Sequence, residues 1–393
     1  MKDKVLPISW HSIASFAPIC KNPFTMGQLE FFDNQEIRAH SESTQQVPSL
    51  EIANRKYLGS KARLIGFIRK EILAKVPSIG IFFDAFSGTG VVAHSFRNYA
   101  EKLIANDMLY SNFVVNRAYL SSNSANCALE NISKHLSRFS ALEPIEGYVY
   151  HSYGGTYFSP ENAGRIDAVR EAIEAIAVAG ECTEQEKYIL LTSLLFAIDK
   201  VANTVGQYDA YLKHLGKDVF DARGKHVIDS NVYKRLRLLL PKIEIGGHHA
   251  VHNEDANALA RRVHSDVAYL DPPYNNRQYI DNYHVLENIM CWKKPPLLGK
   301  TLKFERGNLK SAYSRKTTAV EALSDLISNL DCTHVFLSYN NEGIIAHEQL
   351  IELLSAHGEP EVVEEEYGVF GNGAGQSVKR RTVERLYHCR LRR

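Results

Sequence analysis

The chain lacks most of what would mark it for a membrane or an oxidising compartment. No apolar run in its 393 residues approaches the roughly 20 needed to span a bilayer. The opening stretch, MKDKVLPISWHSIASFAPIC, has no uniform apolar core ending in small residues, so no secretion signal is read there. Six cysteines, at 20, 127, 182, 291, 332 and 389, stand far apart and form no Cys-x-x-Cys pair. That scatter argues against a disulfide framework or a thiolate zinc site and for a reducing compartment, with the cytoplasm as the expected location. The 16 histidines are dispersed; His248, His249 and His252 cluster, but no carboxylate or cysteine completes a metal geometry, and no metal is expected. A Ser-His-Asp arrangement, an internal repeat and a low-complexity tract are also missing. So is net charge: +1 overall, which by itself calls for no polyanionic partner.

What is present is the composition of a globular protein, 45% apolar and 23% charged, with charge gathered in places. Residues 292–316 hold eight Lys or Arg against one Glu, and the stretch from Gln376 holds seven against one. An acidic run, EPEVVEEEY at 359–367, offsets much of this. Such clusters are often solvated faces and become informative only beside a motif.

Residues 1–50 show weak periodicity and read as an extension. From Lys61, apolar residues at 64, 65, 68, 72 and 73 recur at helical spacing. IGIFFDAF (79–86) is short and continuously apolar, as a strand covered on both faces should be, and SGTGVVAHSFRNYA turns from it into a helix. KLIANDM predicts a second strand ending at Asp107. Strand, glycine turn, helix, strand is the order of a parallel α/β sheet. The middle of the chain predicts helices over FSPENAGRIDAVREAIEAIAVAG and EQEKYILLTSLLFAIDKVAN, hence a mostly helical insertion at 146–245 between the two sheet segments, 51–145 and 246–393. The α/β pattern resumes with a strand at 264–271, a helix through IDNYHVLENIMCW, a strand at 333–340, a helix from Gly343, and two strands, about 361–370 and 378–390, forming a terminal hairpin.

Two stretches carry chemistry. DAFSGTGVVA contains Gly88-x-Gly90-x-x-Ala93, with Asp107 19 residues past Gly88, a spacing that also fits a dinucleotide-binding turn. A nicotinamide oxidoreductase is therefore one reading. A dinucleotide brings a pyrophosphate to the helix N-terminus, however, and Asp84 at the strand's end would repel it. S-adenosylmethionine (AdoMet) has no phosphate; Asp84 suits its cationic part, and Lys56 or Lys61 in KYLGSKARL suits its carboxylate. The second stretch is LDPPY, Leu270 to Tyr274. An exocyclic amine on a nucleobase attacks a methyl group only if both its hydrogens are accepted. Asp271 supplies one acceptor and the Pro272 carbonyl another, held by rings that bring no competing N–H. Tyr274 offers a flat face for an extruded base. Alone, the stretch also reads as an ordinary turn.

KYLGSK, DAFSGTG, ANDMLY and LDPPYNNRQY, in that order, resemble the Dam-type (alpha-order) DNA adenine-N6 methyltransferases of restriction-modification type, and the likeness extends over about 51–393. The resemblance implies a class I AdoMet-dependent (Rossmann-like) α/β fold with a terminal β-hairpin and a helical target-recognition insertion. It implies that Tyr57, Lys61, Asp107 and Asp271 contact AdoMet, that Asp84, Gly88 and Gly90 line its pocket, and that Asp271, Pro272 and Tyr274 are catalytic. The implied substrate is a flipped adenine in double-stranded DNA. Arg277, Tyr279, Lys293, Lys310, Lys379 and Arg380 are then candidates for contacts to the nucleic acid. Tyrosine replaces the usual tryptophan in the first motif, and DKVANTVGQYDAY follows the family's DNA-touching hairpin only loosely, with Asn203 near the place of an intercalating aromatic. Asp255 reads as a helix N-cap. A monomer or weak dimer is expected, with a restriction endonuclease acting on the same site without stable association. Cytosine-N4 methylation is the runner-up, although those enzymes more often carry Ser-Pro-Pro-Tyr; glutamine methylation would favour Asn at 271. A catalytically silent DNA-binding subunit would not need so complete a corner.

Overall fold

A run of apolar residues with aromatic neighbours, covered on both faces, sets the centre of the sheet. A computed structural model describes residues 50–392 apart from 56, 214, 216, 218–229, 248 and 371–378; the expected extension at 1–50 therefore lies almost wholly outside the described residues. Helix α1 (Ile65–Lys75) buries Ile68 and Ile72. Strand β1 (Ile79–Asp84) follows, with Phe82 and Phe83 both fully buried on opposite faces, as the two-residue period of a strand requires. A short helix, α2 (Val91–Ser95), leads to β2 (Ala100–Asn106). Helices α3 (Tyr110–Leu120), α4 (Leu129–Ser140) and α5 (Tyr148–Tyr153) come next. Helix α6 (Pro160–Val178) begins as its sequence predicts, with Ser159 accepting from the Asn162 amide and proline at the first position. Helix α7 (Glu184–Val201) opens on a reciprocal cap between Thr183 and Glu186.

The sheet resumes with β3 (Ala250–His252), then α8 (Ala256–Ala260), whose N-cap is Asp255 accepting from the Ala258 amide. Strand β4 (His264–Leu270) and helix α9 (Tyr279–Cys291) flank the LDPPY corner. Then come α10 (Ala319–Asn329), β5 (Asp331–Asn340), α11 (His347–Ser355), β6 (Gly358–Phe370) and β7 (Lys379–Leu391). The helix expected from Gly343 starts at His347, because the Gly343 amide is used in a turn back to the Asn340 carbonyl.

Among the described residues the strands form one sheet in the order β3-β2-β1-β4-β5-β7-β6. All pairs are parallel except those of β7, which runs antiparallel to both β5 and β6. The order reverses between β1 and β4, and at such a switch point the loops leaving the two strands diverge and open a crevice. The register Asp84↔Tyr269 puts the glycine turn and the LDPPY corner side by side at that crevice. One face is covered by α8, α10 and α11; the other carries α1, α3 and α9. The helical segment is not set apart in packing: α7 lies on α3 and α9, and Leu194 and Ile198 share a core with Phe82, Val114 and Leu286.

Candidate active site

Strand β4 ends at Leu270, and the next four residues cannot continue it, because two of them lack an amide donor. The corner is fastened at its far end, where the Tyr274 carbonyl accepts from the Ile344 amide at 2.9 Å and its ring meets Tyr339 edge-on at 6.0 Å. Pro272 is buried, and among the described residues nothing donates to its carbonyl. Facing the corner is the turn after Tyr57. Gly59 there has φ +75°, and a Cβ on it would stand 2.8 Å from the Tyr279 hydroxyl and 3.3 Å from that of Tyr274, so both conformation and space require glycine. The turn delivers Lys61, whose Nζ lies 2.8 Å from Asp271 Oδ1, 3.4 Å from Glu384 Oε1 on β7, and 5.2 Å from the Tyr274 ring centre. Burial works against the Lys61 charge, but Asp271 and Glu384 outweigh it and hold the ammonium well above its ordinary range. Burial also pushes the Asp271 carboxyl up to about 6, against the pull of Lys61.

The glycine turn is organised by Asp107. Its Oδ2 accepts from the Gly88 amide at 2.9 Å, and its Oδ1 accepts from the Leu109 amide at 2.8 Å and Asn112 Nδ2 at 3.0 Å. Burial places its carboxyl at about 6. Asn112 also donates to the Tyr57 hydroxyl at 2.9 Å and accepts from the buried Arg55 at 2.6 Å, which fixes the ring of Tyr57 beside Gly88. Gly88 and Gly90 have φ of +51° and +84°. Gly88 faces a cavity of about 280 Å³, while Gly90 backs onto Asn116. Asp84 is behind the turn rather than on the cavity: it is 1% exposed, its Oδ2 accepts from the Ala93 amide in α2 at 3.2 Å, and burial lifts its carboxyl to about 8. Asp84, expected to face a cationic ligand, thus has one oxygen turned to α2 and is absent from the cavity's lining.

The cavity runs from Asp107 past Asp255 to Asp271, with Tyr57 and Tyr279 on one wall. The segment at 309–313 forms another wall and is strapped to the start of α9: Gln278 Oε1 accepts from the Ser311 amide at 2.7 Å, and its Nε2 donates to the Ser311 carbonyl at 3.0 Å. Lys310 is exposed at this wall. Tyr279 lines the cavity instead of the outer surface, and Arg277 is exposed and reaches Gln207 Oε1 at 3.4 Å. Lys293 is exposed just past the other end of α9 from the corner. Lys379 and Arg380 lie on β7 opposite Phe370 and Val369, and Lys56 lies outside the described residues. Asn203, near the place expected for an intercalating side chain, is fully buried, with its amide spent on the Thr156 and Leu212 carbonyls. Sequence reasoning passed over Glu384, Asn112 and Arg55; only Asn112, one helical turn beyond Asp107, had a local signal.

Of the two ligands that the glycine turn admits, this lining suits AdoMet. Apart from tyrosines, its ionisable side chains are four acids (Asp107, Glu254, Asp255, Asp271) and two lysines, one of which is already held between two carboxylates. An anionic cavity favours a sulfonium and an ammonium over a pyrophosphate. Among the described residues no group of acids, histidines and cysteines is placed to hold a metal, and no helix is long and apolar enough to cross a membrane.

Comparison with known proteins agrees. Residues 57–353 match the family described as D12 class N6 adenine-specific DNA methyltransferases. The chain is 37% identical over 325 residues to the type II methyltransferase M.NlaIII of Neisseria lactamica, which covers 80% of this chain and 92% of that protein. It is 35% identical over 311 residues to the modification methylase StsI of Streptococcus sanguinis (76% and 46% covered). It is 33% identical over 328 residues to the type II methyltransferase M.FokI of Planomicrobium okeanokoites (78% and 47% covered). The chain therefore spans nearly all of the first relative and about half the length of the other two. Neither the cytosine-N4 nor the oxidoreductase reading survives these matches: the chain belongs to the D12 class N6 adenine-specific DNA methyltransferases, enzymes that take their methyl group from S-adenosylmethionine.

Proposed function

We propose that the LDPPY corner is the acceptor side of this reaction, acting on an adenine flipped out of a specific duplex site. The observation that carries the reading is the corner itself. Asp271 opens onto the cavity with one oxygen engaged by Lys61, and the neighbouring Pro272 carbonyl takes no other donor among the described residues. AdoMet supplies an electrophilic methyl group, and the rest falls to the chain. The free oxygen of Asp271 and the Pro272 carbonyl accept the two amine hydrogens, which brings nitrogen lone-pair density out of the ring. As the nitrogen becomes cationic, Asp271 stabilises it and takes up the departing proton. Tyr274 stacks on the base, and the rigidity of the corner keeps reorganisation small. Tyr57, Lys61, Asp107, Gly88 and Gly90 form the donor's side, Lys61 through Asp271 and Gly90 through the shape of the turn.

On the nucleic-acid side, Arg277, Lys293, Lys310, Lys379 and Arg380 contact phosphates, Tyr279 closes the pocket, and the helical segment at 146–245 reads the target. The relatives' names, type II methyltransferase and modification methylase, support placing the chain as the modification half of a restriction system; on this reading it works in the cytoplasm as a monomer or weak dimer beside an endonuclease of the same specificity. Duplex DNA incubated with methyl-labelled AdoMet and digested to nucleosides should yield N6-methyladenine. The product should vanish in Asp271→Ala and fall strongly in Tyr274→Ala. Label in cytosine, or only in RNA or protein, would overturn the reading.

A further inference from the structure

Lys61 is held by two carboxylates where a salt bridge needs one. Asp271 stands closer, at 2.8 Å, and Glu384 takes the other side at 3.4 Å. Glu384 is fully buried on β7, opposite Asn340 of β5, and accepts from the Ser338 hydroxyl at 2.7 Å and from the Tyr367 hydroxyl at 3.4 Å. A second buried acid raises the desolvation cost of the cluster, and fold stability alone asks for no more than the neutral Lys61–Asp271 pair. The triad of one ammonium and two carboxylates leaves one net negative charge; Lys61 and Asp271 both line the cavity, Asp271 is the more exposed of the two, and Glu384 lies behind them.

We propose that Glu384 is a positioning residue for methyl transfer, sharing the Lys61 charge so that Asp271 is held in place without being neutralised as an acceptor. This rests on the reading of Asp271 given above. A lysine paired with Asp271 alone would draw electron density from both of its oxygens and weaken the bond to the target amine. With Glu384 opposite, Lys61 still fixes the rotamer of Asp271, but its field at the free oxygen is partly cancelled. Besides Lys61 and Glu384, the titratable groups facing Asp271 are Asp84, Tyr269, Tyr274 and Tyr279. Burial holds the three tyrosines above their ordinary range, so they stay neutral, and Asp84 is common to every variant considered.

The test is Glu384→Gln in the full chain, with kcat and both KM values measured from pH 5 to pH 8.5. The Glu384 charge raises the Asp271 carboxyl, and the proposed role needs Asp271 ionised, so removing that charge moves the acid limb of kcat to lower pH. At the plateau kcat falls ~10-fold, while KM for AdoMet and for duplex stays within about twofold. An unchanged kcat and acid limb, or a change confined to the KM values, overturns the proposal. Asp271→Asn run alongside separates the two ideas: if it retains activity, the reading of Asp271 fails, whatever Glu384→Gln does. Should Glu384→Gln fail to fold, Glu384→Asp is measured, which keeps the charge but withdraws it. It should keep the acid limb and lose at least about threefold in kcat, and a wild-type kcat overturns the proposal.

Discussion

At the scale of single residues, the site turns on where protons sit. Burial pushes the Asp271 carboxyl up to about 6, and the role proposed for it needs the carboxylate ionised. The kcat/KM for methylation should therefore hold through neutral pH and fall as pH drops through about 6, which a pH profile measured at sub-saturating duplex checks. Asp271→Ala should lower kcat by ~10³-fold or more, because it removes an acceptor and leaves Lys61 facing Glu384 alone. Asp271, Pro272 and Tyr274 stand out as candidates in the sequence because the signal is local: acid, rings and aromatic follow one another. The role of Lys61 was less legible. Its turn was visible, but its partners lie 210 residues away in one case and on the last described strand in the other, and no periodicity registers a contact of that kind. The surroundings of Asp84 were hidden for the same reason. Its place at a strand end was clear, but which side of the turn its carboxylate takes is decided by the Ala93 amide.

At the scale of elements, two attachments are testable. Asp84 caps the first turn of α2 with a carboxyl at about 8, against 3.8 for a free side chain. Between those values the folded chain binds a proton that the unfolded chain does not, so stability falls as pH rises across that window. Asp84→Asn, which keeps an acceptor for the Ala93 amide, should flatten that dependence and leave the variant more stable than wild type at pH 8, as urea unfolding at pH 5 and pH 8 would record. The second attachment is the Gln278–Ser311 strap. Gln278→Ala removes both of its hydrogen bonds and frees a cavity wall, worth about 1–3 kcal/mol, and should weaken AdoMet binding at least ~5-fold by calorimetry. Most helices and strands were legible as elements, including the caps at Ser159 and Asp255. Helix α10 was passed over, because its apolar residues, Leu323, Leu326 and Ile327, follow a basic stretch that reads as a solvated face.

At the scale of the whole molecule, the sheet order matters most, since the reversal between β1 and β4 brings the two motifs together. That order was only partly legible: strand followed by helix announces a parallel sheet, and the final pair announces a hairpin, but the insertion of β7 between β5 and β6 has no linear signature. Nor did the sequence reveal that α7 shares a core with the sheet's flank, because an apolar face does not name what covers it. The proposed phosphate contacts are testable at this scale. Affinity for DNA should fall linearly on a log–log plot against salt, and Lys310→Ala should reduce that slope by about one unit, the share of a single phosphate contact.

The antiparallel placement of β7 has a consequence for biosynthesis. Glu384 is the latest-made member of the triad, and Lys61 is made more than three hundred residues before it. A ribosome-bound fragment short of that strand already holds its glycine turn and its proline corner, yet its lysine has only one acid to answer to. On the role proposed for Glu384, such a fragment lacks the second acid beside Lys61, and the triad is assembled only once β7 is made.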